Sequence, residues 1–117
     1  MTIRRVWRGW TLPKDADAYE ALLLSEIVPG IGRKAIPGYR GIEILRRQAG
    51  DEVEFATIMT FDTLANVVDF QGPDFEAAYV PEAARRVPSR WDERSSHYEV
   101  VAVRSGTTVG EEPRSPG

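Results

Sequence analysis

The sequence predicts an α+β domain with one four-stranded antiparallel sheet and helices on one face. Three observations lead there. Strand and helix periodicities follow one another as strand, helix, strand, strand, helix, strand. The two middle strands are joined by a short connection containing glycine, the mark of a hairpin. The 117 residues suffice for one core but not for two.

The first strand is read at residues 3 to 10, Ile-Arg-Arg-Val-Trp-Arg-Gly-Trp. Neither of its parities is wholly polar, so both sides are expected to be covered at least in part. Thr11 is placed as the cap of the first helix, with Pro13 in its first turn, where a missing N–H costs nothing. Tyr19, Leu22, Leu23 and Ile27 give that helix an apolar stripe, and Pro29-Gly30 is expected to interrupt it. A further short turn is read through Ile31 and Ile36 before Pro37-Gly38.

The second and third strands are read at residues 39 to 47 and 52 to 61. The third sorts by parity: Val53, Phe55, Thr57, Met59 and Phe61 on one face, Glu52, Glu54, Ala56, Ile58 and Thr60 on the other. Asp62 or Thr63 is expected to cap a second helix that turns Leu64, Val67 and Val68 inward, while Asn66 is expected to face solvent. Phe75, Ala78, Tyr79 and Val87 suggest a further helical piece bent at Pro81 and stopped by Pro88, followed by a turn at residues 89 to 94. The last strand is read from residue 95 to 104.

A βαββαβ chain of this length folds most economically as a ferredoxin-like sandwich with the first strand between the third and the fourth. Its helices cover one face only. Large apolar side chains occupy both, Trp7 and Phe55 on one and Val6, Trp10 and Ile58 on the other. A homodimer packed sheet against sheet is the simplest cover for the second face. The domain is assigned to residues 1–104, and residues 105–117, rich in Gly, Ser, Pro and Glu, to a disordered tail.

Composition narrows the function classes. A formal net charge of −3 argues against nucleic acid as the main partner, which wants a basic face. No apolar run approaches the length of a spanning helix, and residues 1 to 5 do not resemble a signal peptide, so no membrane association and a cytoplasmic location are expected. The absence of cysteine removes disulfides, thiolate nucleophiles and cysteine metal sites, and one histidine leaves a zinc site short of ligands. No cofactor is expected.

That histidine, His97, lies at the start of the last strand, where it serves either as a general base or as a locally bonded structural residue. Antiparallel pairing with the first strand is expected to set His97 near Gly9 and Glu99 near Trp7, on one face with Arg5. The grouping offers a base, an acid, a flat aromatic wall and a cation for a phenolate or enolate oxygen. Trp7 and Phe61 are either walls for an aromatic guest or plain core. Arg5 and Arg8 are expected to meet a carboxylate such as Glu43, Glu54 or Glu99, or else a substrate anion. Met59, Tyr79 and Trp91 complete the candidate substrate-binding set.

Five short stretches carry a family resemblance over residues 3 to 103: Arg5-Val6-Trp7-Arg8-Gly9, Ile36-Pro37-Gly38-Tyr39-Arg40-Gly41, Phe61-Asp62-Thr63-Leu64, Val80-Pro81 and His97-Tyr98-Glu99-Val100. Together they resemble the antibiotic biosynthesis monooxygenase family of dimeric α+β barrels. The resemblance implies a ferredoxin-like protomer, a barrel-forming homodimer and a pocket between sheet and helices. It also implies a cofactor-independent monooxygenase-like enzyme acting on an aromatic or polyketide-type small molecule. His97 would be its base, Arg5 its anion stabiliser, and Trp7 and Phe61 its walls. Cyclisation or isomerisation in the same pocket, or ligand binding without turnover, are the alternatives. The chain departs from the family pattern where Phe61 replaces a tryptophan, where Phe70 lies near the place of a helix histidine, and where Trp7 takes the position of the haem-degrading branch's asparagine.

Overall fold

A computed structural model describes residues 1–106, so most of the expected tail, from residue 107 onward, lies outside the described residues. The sheet is laid around β1 (Ile3–Thr11), which pairs antiparallel with β3 (Glu52–Phe61) along its whole length. β2 (Tyr39–Ala49) pairs with the far edge of β3 through the Gly50-Asp51 turn, with Gly50 at φ +63° as a tight hairpin requires. The other edge of β1 takes two short strands in tandem, β4 (Arg90–Trp91) and β5 (Ser96–Glu99). The expected topology holds, with β1 between β3 and the last strands, but five strands fill the four ranks.

The extra strand corrects the register. Arg90 and Trp91, expected in a turn, occupy the edge of β1 at Trp10 and Gly9. β5 is thereby displaced, so that His97 lies opposite Arg5 and Glu99 opposite Ile3. The displacement is an even number of residues, so each side chain keeps its expected face. The strand expected to run to residue 104 ends at Glu99.

The helices lie on the face bearing Ile3, Arg5, Trp7, Val53, Phe55, Met59 and Phe61. Tyr19 and Leu23 join Trp7 and Phe55 in one buried cluster; Ile31, Val67 and Phe70 join Met59 and Phe61 in another. Phe55 and Phe61 are fully buried, each contributing roughly 1.5–3 kcal/mol by removal from water. Thr11, expected as a helix cap, instead ends β1 with its hydroxyl buried and without a hydrogen-bond partner among the described residues.

Pro29 does not end the first helical run as expected. α1 (Ala16–Leu22) passes through a π turn, Leu23–Ile27, into α2 (Val28–Arg33). In the π turn Val28 N–H reaches back five residues to the Leu23 carbonyl, so the helix restarts with Pro29 in its first turn, where no N–H is demanded. α3 (Leu64–Gln71) is capped by Thr63, whose hydroxyl accepts from Asn66 N–H while Asn66 Oδ1 accepts from Thr63 N–H. Asn66 is thus a capping residue, and it explains Gly38: a Cβ there would lie 2.1 Å from Asn66 Oδ1.

The largest departure is the stretch between α3 and β4. The expected third helix is a single 3-10 turn, Glu82–Ala84, in otherwise irregular chain. Pro73, Pro81 and Pro88 deny it the amide donors a helix needs. Ala78 N–H instead donates to Glu93 O (2.8 Å) and Ser95 N–H to Glu76 O (2.6 Å), tying the stretch to the connection between β4 and β5.

Candidate functional site

Arg5 is the residue around which the site is built. Its strand parity sends it to the helix-covered face, where it is only 2% exposed. The irregular stretch supplies its partners. Nη1 donates to Phe75 O (2.5 Å) and Nη2 to Ala77 O (2.7 Å), carbonyls that a helix would have used for itself. His97 Nε2 lies 2.9 Å from Nη1, and the Phe70 ring lies 5.7 Å from the guanidinium carbon. None of these partners is an anion, and among the described residues no carboxylate forms a salt bridge with Arg5. Burial alone brings its pKa down to about 10, so the cation persists at neutral pH.

The contact fixes the state of His97. An arginine only donates, so Nε2 must be the bare acceptor and the ring proton sits on Nδ1. Nδ1 is buried without a hydrogen-bond partner among the described residues, and the ring meets Phe75 edge-on at 5.2 Å. Burial, then the Arg5 cation, holds the imidazole below its ordinary 6.5, with Glu76 opposing. The lone pair a general base would use is engaged by Arg5.

Beside Arg5, between sheet and helices, is a cavity of about 40 Å³. Among the described residues Arg5 is its one charged lining residue. Of the sequence candidates, Trp7, Met59 and Tyr79 are among its lining residues, and Leu23, Ile27, Val28 and Ile31 close it from the π turn and α2. Trp7 is held by a hydrogen bond from Nε1 to Asp92 O (2.8 Å) and by Gly9, where a Cβ would come within 2.7 Å of the indole. Tyr19, packed edge-on to Phe55 at 5.0 Å, also contributes, with burial pushing its phenol up to about 12. Ser95 lines the same space, 4% exposed, with a hydroxyl that has no hydrogen-bond partner among the described residues.

The other sequence candidates lie outside the cavity lining. His97 stands behind Arg5. Phe61 is core between Tyr39 and Phe70, at centroid distances of 5.5 and 5.9 Å. Trp91 packs half-buried against the Trp7 cluster, and Glu99 is exposed opposite Ile3. Sequence reasoning missed Ser95, the π-turn residues and the Phe75 and Ala77 carbonyls. Three prolines within one stretch were the available sign that its carbonyls would be free.

The cavity is about the size of a few waters, each needing roughly 10–15 Å³. Outside it, a groove of about 290 Å³ shares Ile27, Tyr79 and Pro81 with the cavity. These three residues border both spaces. A guest with an apolar body and one negative oxygen would find hydrophobic walls and a cation held in place before it arrives.

Among the described residues no group of three or more His, Asp or Glu side chains is placed to hold a metal ion, and no helix is long and apolar enough to cross a membrane. No protein-family model matches the chain, and no curated protein matches it in sequence. Its backbone is nonetheless similar to solved structures. A provisionally named antibiotic biosynthesis monooxygenase from Bacillus cereus gives a TM-score of 0.62 at 7% identity, covering 92% of this chain and 99% of its own. The structure of Rv0793 from Mycobacterium tuberculosis gives 0.53 at 14% identity, covering 92% and 100%. The chain therefore has the ferredoxin-like α+β fold of these proteins, and the resemblance seen in its sequence holds at the level of architecture.

Proposed function

We propose that this chain is a monooxygenase-like enzyme for a small, largely apolar molecule of aromatic or polyketide type that reacts through an anionic oxygen. One observation carries the reading: among the described residues, the only charge lining an apolar cavity is a buried guanidinium whose hydrogen-bond partners are all neutral. Such a cation lowers the pKa of a phenol or enol beside it and holds the resulting anion. Ser95 Oγ offers the ligand a second hydrogen bond.

Ionisation releases the phenol or enol proton to water, and the electron-rich anion gives one electron to dioxygen. The carbon radical and superoxide combine to a peroxide anion, which takes a proton back from water; the hydroperoxide, on a carbon that still bears hydrogen, then loses water to leave a carbonyl. One oxygen atom enters the product and the other departs as water. The protein contributes ionisation, orientation and a dry site. Binding sites for ring systems usually measure ~300–1,000 Å³, so Ile27, Tyr79 and Pro81 move outward to admit the guest.

The partner we assign is a second copy of the chain, joined through the open sheet face. Leu45 and Tyr98 are 48% and 59% exposed there, and Val6 and Ile58 are half-buried beside them. Oxygen consumption with an anthrone or quinol substrate tests the reaction. Uptake lost in Arg5→Gln supports it; product formed without oxygen uptake points to cyclisation or isomerisation, and saturable binding without turnover to a ligand carrier.

A further inference from the structure

We propose that His97 is a positioning residue for Arg5 rather than the proton-accepting base: its Nε2 accepts from Arg5 Nη1 and aims the guanidinium at the anionic oxygen of the bound molecule. The inference rests on the reading that the cavity takes an oxyanion, and it deepens it.

The geometry is specific. Phe75 O and Ala77 O hold the two guanidinium nitrogens from the irregular stretch, at 2.5 and 2.7 Å, and His97 Nε2 holds Nη1 from β5 at 2.9 Å. A carboxylate in the place of His97 would hold Arg5 equally well but would cancel its charge. A neutral acceptor fixes the direction and leaves the charge for the ligand. His97 is not among the cavity-lining residues, and its free nitrogen, Nδ1, carries the proton. The charged groups acting on the ring are Arg5 from β1 and Glu76 from the irregular stretch, with Phe75 as its apolar neighbour.

Because His97 is the only histidine in the chain, nitrogen-15 NMR of the labelled full-length protein reads its tautomer and titration without assignment. Benzoate, ionised throughout the neutral range, and benzamide, its uncharged counterpart, serve as probes. The expected result is a neutral Nδ1–H tautomer titrating below 6.5, whose midpoint rises when benzoate, but not benzamide, saturates the site and offsets the Arg5 charge. Benzoate is expected to bind about tenfold tighter than benzamide, as a hydrogen bond to a charged group implies. His97→Gln, whose Oε1 can accept from Arg5, keeps that preference; His97→Leu loses it. An Nε2–H tautomer, or full preference in His97→Leu, overturns the positioning role. Equal binding of the two probes by the wild type, alongside an intact Nδ1–H tautomer, overturns the oxyanion reading instead. The tautomer and midpoint need no variant, so the test stands even if His97→Leu fails to fold.

Discussion

β1 carries three arginines, and its two faces treat them differently. Arg4 and Arg8 point to the open face and meet carboxylates, Glu43 at 3.8 Å and Asp92 at 3.0 Å. Arg5, beside Arg4 in sequence, turns under the helices and meets two carbonyls and an imidazole. The open-face pairs are partly solvated and contribute little to stability. Arg5 is desolvated and has no salt-bridge partner among the described residues, an arrangement that costs stability unless something negative joins it. A residue type repeated along one strand thus becomes a surface pair on one face and a receptor on the other, decided by parity and by what the chain lays above it.

That contrast can be broken at several points. The covered face is the true core, so Phe55→Ala should cost about 3–5 kcal/mol in denaturant unfolding; a loss below about 1 kcal/mol would mean that the helices do not seal that face. On the open face, Ile58→Lys should convert the proposed dimer to a monomer by light scattering while leaving the circular dichroism spectrum unchanged. A wild type already monomeric at high concentration would remove the dimer.

The acid side separates the faces again. Folding holds the His97 pKa below the 6.5 of the unfolded chain, so the unfolded state binds more protons once pH falls under that value. The His97 contribution is complete above pH 6.5 and is lost as pH drops toward the folded pKa. His97→Gln should flatten this part of the stability profile, and an unchanged slope would show that His97 is freely solvated. The smallest effect is expected for Arg8→Ala, under about 1 kcal/mol, because the pair with Asp92 is half-exposed and screened.

What could be read in advance followed periodicity. The alternation of Val53, Phe55, Thr57, Met59 and Phe61 assigned the covered face, and strand parity put His97 on the side of Arg5 even though the register was displaced. The displacement arose because Arg90 and Trp91 form a strand too short to leave a periodic trace. The π turn was hidden for a similar reason: Pro29 signals a broken hydrogen bond but not how the helix repairs it. The partners of Arg5 were illegible because two are backbone carbonyls, a chemistry every residue carries. A side-chain reading therefore looked for a carboxylate, and left His97 as either a base or a locally bonded residue.

The most direct measurement compares benzoate and benzamide by calorimetry in the wild type and in Arg5→Gln. An uncompensated cation lining the cavity predicts a benzoate preference of about tenfold or more in the wild type, abolished by the substitution. Equal affinities in the wild type, or a preference that survives the loss of Arg5, would contradict it.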